Sequence, residues 1–134
     1  MSAAERFLDT NVVLYLLSAD TSKADRAEAV VLEGGVVSVQ VLNEFAAVTL
    51  RKLGMTIAET REALAAIRAA CTVVPLTEET HDRGLGIAER YGLSLNDAMI
   101  VASALMAGCK TLLSEDMQHG QMLDQQVTIR NPFR

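Results

Sequence analysis

The chain has 134 residues and a mass of 14.4 kDa, enough for one hydrophobic core, so we expect a single domain over residues 1–134. Half of the residues are hydrophobic, which excludes a disordered chain. The net charge of −5 and the aromatic content of 4%, with no Trp, argue against broad electrostatic binding of nucleic acid and against base stacking. Any nucleic-acid contact should therefore be local and metal-mediated.

Short aliphatic and β-branched runs recur along the chain and predict buried parallel strands. Segments of helical period fill the gaps between them. This alternation predicts βαβ units and an α/β fold, namely a three-layer α/β/α sandwich with a central parallel sheet of about five short strands. The predicted strands are Arg6–Leu8, Val36–Ser38, Thr72–Val74, Lys110–Leu113 and Val127–Ile129.

Capping patterns and periodicity predict the helices. The longest apolar stretch, Ala98–Ala107, is too short to cross a bilayer and predicts a buried helix. Helices are also predicted over Val12–Leu17, Val39–Leu53 and Ile57–Ala70. The spacing S/T-x-x-D/E predicts three capped helix starts, at Ser22–Asp25, Thr56–Glu59 and Ser94–Asp97.

The N-terminus and the two cysteines bear on the cellular compartment. The segment MSAAERFLD has neither the basic region nor the apolar region of a secretory signal, which predicts a cytoplasmic protein. Cys71 and Cys109 stand alone, without CxxC or Cys/His spacing. We therefore expect small core residues rather than a zinc site or a disulfide.

Four carboxylates lie where predicted elements end or begin. Asp9 follows the first strand and Asp116 follows the fourth, whereas Glu44 and Asp97 lie on helices next to predicted strands. The carboxyl ends of parallel strands form the crevice where ligands bind, so all four acids can face one edge of the sheet.

Each acid also has an ordinary structural explanation. Asp9 could cap the following helix, although Thr10 and Asn11 can already do so. Asp97 occupies the third position of the capping box that Ser94 opens, where it also complements the helix dipole.

The other two acids leave similar alternatives open. Glu44 lies at the margin of the apolar stripe of its helix and could simply pair with Arg51 or Lys52. Asp116 follows Ser114 and Glu115 in a turn, where its side chain could fold onto the backbone.

The four acids taken together favour a metal site. Converged carboxylates repel one another and take up protons unless a cation neutralises them. Oxygen ligands without thiolates or clustered imidazoles suit Mg²⁺ or Mn²⁺. The residues therefore predict an acidic site for a hard divalent cation.

The order of these motifs resembles the PIN-domain ribonucleases, and within them the VapC toxins of bacterial toxin–antitoxin pairs. The resemblance covers nearly the whole chain. It rests on FLDTNVVLYLL around Asp9, VSVQVLNEFAAV around Glu44, LNDAMIVASAL around Asp97 and LLSEDMQHG around Asp116. Asn96 departs from the pattern, because many relatives carry an aromatic residue at this position.

The resemblance implies metal-dependent hydrolysis of RNA phosphodiester bonds. Asp9, Glu44, Asp97 and Asp116 would hold one or two Mg²⁺ or Mn²⁺ ions. It further implies homodimerisation and a small antitoxin that inserts basic or apolar side chains into the acidic groove. Asn11 and Ser38 would position water, phosphate or ligands, and Glu115 is a candidate accessory acid.

Other catalytic routes lack their parts, since the sequence has no GxSxG elbow, no Cys near a plausible His and no phosphate-binding GxxxxGK[ST] loop. His81 and His119 could form an acid–base pair, but exposed histidines with no role are more common. Two alternatives stay open. One is a catalytically silent PIN-like module that binds metal or a partner, and the other is a receiver-like signalling domain that binds Mg²⁺.

Overall fold

The computed structural model describes residues 2–134; Met1, with which the predicted domain begins, lies outside the described residues. Within them the strands are β1 Arg6–Leu8, β2 Gly35–Ser38, β3 Cys71–Val74, β4 Thr111–Leu113, β5 Met122–Leu123 and β6 Val127–Arg130. The helices are α1 Thr10–Leu14, α2 Thr21–Leu32, α3 Val39–Arg51, α4 Ile57–Ala70, α5 Glu78–Tyr91 and α6 Leu95–Met106. Short 3₁₀ turns cover Ala3–Glu5 and Tyr15–Leu17.

The strands form one sheet in the order β3-β2-β1-β4-β6-β5. All neighbouring strands run parallel except β5, which pairs antiparallel with β6. The α/β fold with a central parallel sheet is confirmed, and the five predicted strands all form. The two-residue β5 was not predicted, because so short a run carries no periodic pattern.

The core fills both faces of the sheet. Every residue of β2 and of β4 is buried, which is the burial expected for parallel strands covered by helices on both sides. Helix α6 packs against β2, β4 and β6, while α3 packs against α1 and α4. Cys71 and Cys109 are free and buried, as predicted. None of the helices in residues 2–134 is long and apolar enough to cross a membrane.

The helix starts test the capping predictions. Thr56 and Glu59 form the predicted reciprocal capping box at α4, and the Ser94 hydroxyl accepts from the Asp97 amide at α6. The prediction for α2 is wrong, because the helix begins one residue before Ser22 and is capped by Asp20. An Asp in an extended conformation caps a helix as well as Ser does. Asp20 lies two residues before Ser22, the cap that the S/T-x-x-D/E pattern predicted.

Candidate functional site

Asp9 links the end of β1 to the start of α1. Its amide donates to the Leu113 carbonyl at 2.9 Å, an arrangement that continues the pairing of β1 with β4. Its Oδ1 accepts from the Thr10 amide at 2.7 Å, and its Oδ2 accepts from Ser114 Oγ at 2.9 Å and Asn11 Nδ2 at 3.3 Å. Asp9 is thus itself the N-cap of α1, which corrects the prediction that Thr10 or Asn11 takes this role.

Burial gives Asp9 an unusual proton affinity. The residue is only 6% exposed, and this burial raises the pKa of its carboxyl from 3.8 to about 6. The hydrogen bonds from Ser114 and Thr10 oppose the rise, whereas the charges of Asp97 and Glu44 add to it. The carboxylate therefore lies in surroundings that favour neutralisation by a proton or a cation.

Glu44 reaches from α3 toward both α1 and α6. Its Oε1 accepts from the Thr10 hydroxyl at 2.7 Å, and its Oε2 accepts from the Asn96 side-chain amide. Neither Arg51 nor Lys52 forms an ion pair with it among the described residues. The carboxylate is half-buried, as expected at the margin of the apolar stripe.

Asp97 and Asp116 come from two further elements. Asp97 lies in the first turn of α6, where burial raises its pKa, the Ser94 hydrogen bond opposes the rise, and the charges of Asp116 and Glu44 add to it. Asp116 lies in the exposed loop after β4. Its carboxylate makes no side-chain hydrogen bond within residues 2–134, so it is not folded onto its turn.

A single cleft brings the four acids together. It is lined by Asp9, Thr10, Asn11, Leu14, Glu44, Val48, Asn96, Asp97 and Asp116. Throughout the described chain, every ion pair involves other acids, namely Glu5, Glu33, Glu115 and Asp124. The negative charge of the cleft is therefore not balanced by any Lys or Arg of the described chain.

The donors of the cleft fit a hard divalent cation in their chemistry. They are carboxylate oxygens with an amide and a hydroxyl beside them, and they carry uncompensated charge. Their spacing is not that of a formed site, because no three His, Cys, Asp or Glu residues within positions 2–134 are grouped to hold an ion. Each oxygen of Glu44 accepts one hydrogen bond, from Thr10 and from Asn96 respectively, and keeps a further lone pair that could bind an ion.

Comparison with known proteins identifies the family. A family model described as PIN domain matches residues 6–122. The chain belongs to the PIN-domain family. No curated protein matches the sequence.

Solved structures support the fold of this PIN domain. The chain is similar to a toxin–antitoxin complex from Klebsiella pneumoniae, with 18% identity, a TM-score of 0.69 and coverage of 95% of this chain and 97% of the other. It is similar to VapC20 from Mycobacterium tuberculosis, described as a sarcin–ricin loop cleaving toxin, with 20% identity, a TM-score of 0.65 and coverage of 83% and 89%. It is also similar to FitAcB from Neisseria gonorrhoeae, with 17% identity, a TM-score of 0.64 and coverage of 96% of this chain and 98% of the other.

Four other residues considered from the sequence lie outside the cleft of this PIN domain. Ser38 is fully buried and caps α3, where its hydroxyl accepts from the Val41 amide at 3.4 Å. The Glu115 carboxylate accepts from Tyr15 and from Lys23, the latter at 2.9 Å. His119 accepts from the Asn131 amide at 2.9 Å, and His81 is exposed on α5.

Sequence reasoning missed the hydrogen bonds by which three polar residues support the carboxylates. Ser114 and Thr10 donate to Asp9 and Glu44, respectively, and Asn96 donates to Glu44. Thr10 lies inside the DTN triplet, and Ser114 directly follows β4, the neighbour of β1 in the sheet. The strand order would have pointed to Ser114, but it is not readable from the sequence.

Asn11 lies in the cleft and connects its two loops. Its Nδ2 donates to Asp9 Oδ2 at 3.3 Å, and its Oδ1 accepts from the Glu115 amide at 3.2 Å. The side chain therefore holds the loop that carries Asp116 against the end of β1.

Proposed function

We propose that this PIN domain is a metal-dependent endoribonuclease that acts as the toxin of a toxin–antitoxin pair. The observation that carries the proposal is the convergence of Asp9, Glu44, Asp97 and Asp116 on one cleft whose charge no Lys or Arg of the described chain balances. Similarity to a toxin–antitoxin complex and to a toxin described as cleaving the sarcin–ricin loop supports the same proposal.

The residues divide into ligands and positioning groups. Asp9, Glu44, Asp97 and Asp116 would bind one or two divalent ions, with Mg²⁺ or Mn²⁺ preferred by their oxygen-only chemistry. Such an ion supplies a Lewis acid for the phosphate and an activated water for its hydrolysis.

Three residues of the chain prepare Asp9 for that role. Ser114, Thr10 and Asn11 each donate to its carboxylate, which fixes the direction of its oxygens. Ser38 acts only indirectly, by starting α3 so that Glu44 lies over the cleft. Glu115 contributes through its contacts with Tyr15 and Lys23 at the base of the Asp116 loop.

The charge of the cleft indicates that a cation has to bind before RNA does. The cleft is acidic and the whole chain has a net charge of −5, so a phosphodiester approaching the metal-free protein is repelled. One or two divalent ions held by the four acids would offset much or all of this negative charge and so let the RNA backbone approach.

The partners follow from the same surface. An antitoxin would present basic side chains to the acidic cleft and so compete with metal and RNA. Homodimerisation would use exposed apolar residues at the end of α3 and the start of α4, namely Leu50, Leu53 and Ile57.

One domain over residues 1–134 and a cytoplasmic location stay predictions.

The test is cleavage of a total RNA pool by antitoxin-free protein in Mg²⁺, in Mn²⁺ and in chelator, with the cut ends mapped. Asp9→Asn is the test variant, and Glu28→Gln, which removes an exposed acid on α2, is the matched control. We expect metal-dependent cuts that Asp9→Asn abolishes and Glu28→Gln retains.

Two outcomes would contradict the proposal. Cutting without metal that survives Asp9→Asn would exclude the mechanism. A folded protein that binds Mn²⁺ but cuts no RNA would favour the catalytically silent PIN module. The receiver-like alternative has lost its support, because the chain is a PIN domain and β1 pairs with β2 and β4 rather than with β2 and β3.

A further inference from the structure

Two side chains one helical turn apart on α3, Gln40 and Glu44, both contact Asn96 at the start of α6. Gln40 Nε2 donates to the Asn96 carbonyl and to Asn96 Oδ1, each at 3.1 Å. Asn96 Nδ2 in turn donates to Glu44 Oε2. These three residues, here termed the α3–α6 bridge, join the helix that carries Glu44 to the helix that carries Asp97.

The bridge permits only one orientation of each amide group. If the Asn96 amide were reversed, its oxygen would face the Glu44 carboxylate and its NH₂ group would face that of Gln40. If the Gln40 amide were reversed, its oxygen would face two Asn96 oxygens. The Asn96 donor is therefore directed at Glu44 by Gln40.

The orientation of the Gln40 side chain leaves one of its polar atoms unpaired in the part of the chain that the structure describes, which costs free energy of folding. The residue is 9% exposed, and its Oε1 is buried without a hydrogen-bond partner among the described residues. A buried acceptor left unpaired loses the hydrogen bonds that water gives it in the unfolded chain. Gln40 nevertheless donates two hydrogen bonds to Asn96. These two bonds therefore specify its orientation, although its own oxygen stays unpaired in the described chain.

We propose that Asn96, oriented by Gln40, is a positioning residue that sets the direction of the Glu44 carboxylate in the cleft and thereby the metal affinity of the site. The inference rests on the proposed function, since Glu44 is there a metal ligand. Residues that hydrogen-bond a ligating carboxylate orient it, and their loss weakens metal binding without removing a ligand.

The first test measures Mn²⁺ affinity by titration calorimetry, which needs no RNA. Asn96→Ala removes the donor, and we expect Mn²⁺ binding to weaken by about 10- to 100-fold. Gln40→Leu leaves the donor but frees its orientation, so a smaller loss is expected. Asn43→Ala is the matched control, because Asn43 is exposed beside Glu44 on α3. Its Mn²⁺ affinity should equal that of the wild type.

The second test asks whether the polarity of the contact matters, using urea unfolding of the metal-free protein. Asn96→Asp should destabilise, because two carboxylates then face each other. Adding Glu44→Gln should recover stability, because the new amide can donate to the new carboxylate. The double variant should therefore be more stable than the sum of the two single effects predicts. Additive effects would show that the side chains at positions 96 and 44 do not face each other, and they would overturn the inference.

The outcomes separate this inference from the function on which it rests. Wild-type protein that binds no Mn²⁺ would overturn the proposed function and this inference with it. Wild-type protein that binds Mn²⁺ with the same affinity as folded Asn96→Ala would overturn the inference alone.

Discussion

The Ser114 hydroxyl donates a 2.9 Å hydrogen bond to Asp9 Oδ2 across a separation of 105 residues in the chain. Pairing of β1 with β4 brings the two residues together. The same hydroxyl accepts from the Met117 amide at 3.3 Å, so one buried side chain holds both Asp9 and the loop that carries Asp116.

Replacing Ser114 by Ala should weaken metal binding in a pH-dependent way. The hydrogen bond from Ser114 lowers the pKa of Asp9, so its loss should move that pKa above about 6. The pH midpoint of Mn²⁺ binding, measured by titration between pH 5.5 and 8.5, should rise accordingly.

The stability of Ser114→Ala gives an internal comparison. Loss of the buried donor should cost about 1–3 kcal/mol in urea unfolding, because Asp9 Oδ2 then keeps only the longer hydrogen bond from Asn11, at 3.3 Å. Ser103→Ala removes a buried hydroxyl that has no hydrogen-bond partner among the described residues, so it should cost little. Equal losses of unfolding free energy in the two variants would show that the hydrogen bond from Ser114 to Asp9 does not stabilise the fold.

In the metal-free protein, Asp9 should contribute a loss of stability as the pH rises from 4 to 6. The pKa of Asp9 is raised from 3.8 to about 6, so the folded state binds this proton more tightly than the unfolded state. The resulting stabilisation is fully present below pH 4 and is lost as the pH passes 6. At pH 8 the ionised carboxylate should cost on the order of 2–3 kcal/mol.

Asp9→Asn checks this assignment. The variant should lack the loss of stability between pH 4 and 6 and should be more stable than wild type at pH 8 in the presence of chelator. Urea midpoints at several pH values measure both effects. Parallel pH profiles of the two proteins would refute the role of Asp9.

Divalent ions should reverse the destabilisation. At pH 8, Mn²⁺ at about 100 times its dissociation constant should stabilise the wild type by about 2.7 kcal/mol, because it binds only the folded state. Asp9→Asn should gain much less, since one proposed ligand is lost. Thermal unfolding with Mn²⁺ and then with excess chelator measures the gain and its reversal.

Neighbouring acids in the loop after β4 should differ in importance. Asp116 lines the cleft, whereas Glu115 contacts Tyr15 and Lys23. Asp116→Asn should lower RNA cleavage by roughly 100-fold or more, because a lost ligand removes several kcal/mol of transition-state stabilisation. Glu115→Gln should retain most of the rate. Similar losses in both variants would assign Glu115 to the site.

Two glycines should respond to Ala in opposite directions. A Cβ on Gly35 would lie 2.3 Å from Leu8 Cδ1 and 3.0 Å from the Arg6 carbonyl, so Gly35→Ala should destabilise by about 1–3 kcal/mol. A Cβ on Gly86 would have no neighbour within 4 Å. Gly86→Ala should stabilise α5 by about 0.5–1 kcal/mol. Urea unfolding of both variants tests the tight packing of β1 against β2.

Much of the fold could be predicted because its signals are local. Arg6–Leu8 and Ile57–Ala70 form a strand and a helix at the predicted bounds, since apolar runs and capping residues mark their ends. Met122–Leu123 carries no such mark, because its two residues become a strand only when they pair with Thr128 and Val127. Likewise, the choice of Asp20 over Ser22 as a cap depends on the backbone conformation at each residue.

The sequence predicts which acids form the site, but not which polar residues donate hydrogen bonds to them. Parallel strand ends bring Asp9 and Asp116 to one edge, which follows from fold class alone. Thr10 and Asn11 are sequence neighbours of Asp9, but two other donors are distant: Asn96 is 52 residues from Glu44, and Ser114 is 105 residues from Asp9. Which donor meets which acid depends on strand order and helix packing, and a single sequence does not encode these in any local pattern.

The two edges of the sheet limit how this protein can associate. At one edge, β3 spans only Cys71–Val74 and is followed by Pro75, which has no amide hydrogen to donate. At the other edge, β5 has two residues and is followed by Asp124 and Gln125 with positive φ values of 49° and 55°. Neither edge offers a long row of free backbone groups to a strand from another molecule. Self-association and capture by a partner are therefore directed to side-chain surfaces of helices and loops, and continuous sheets between copies are disfavoured.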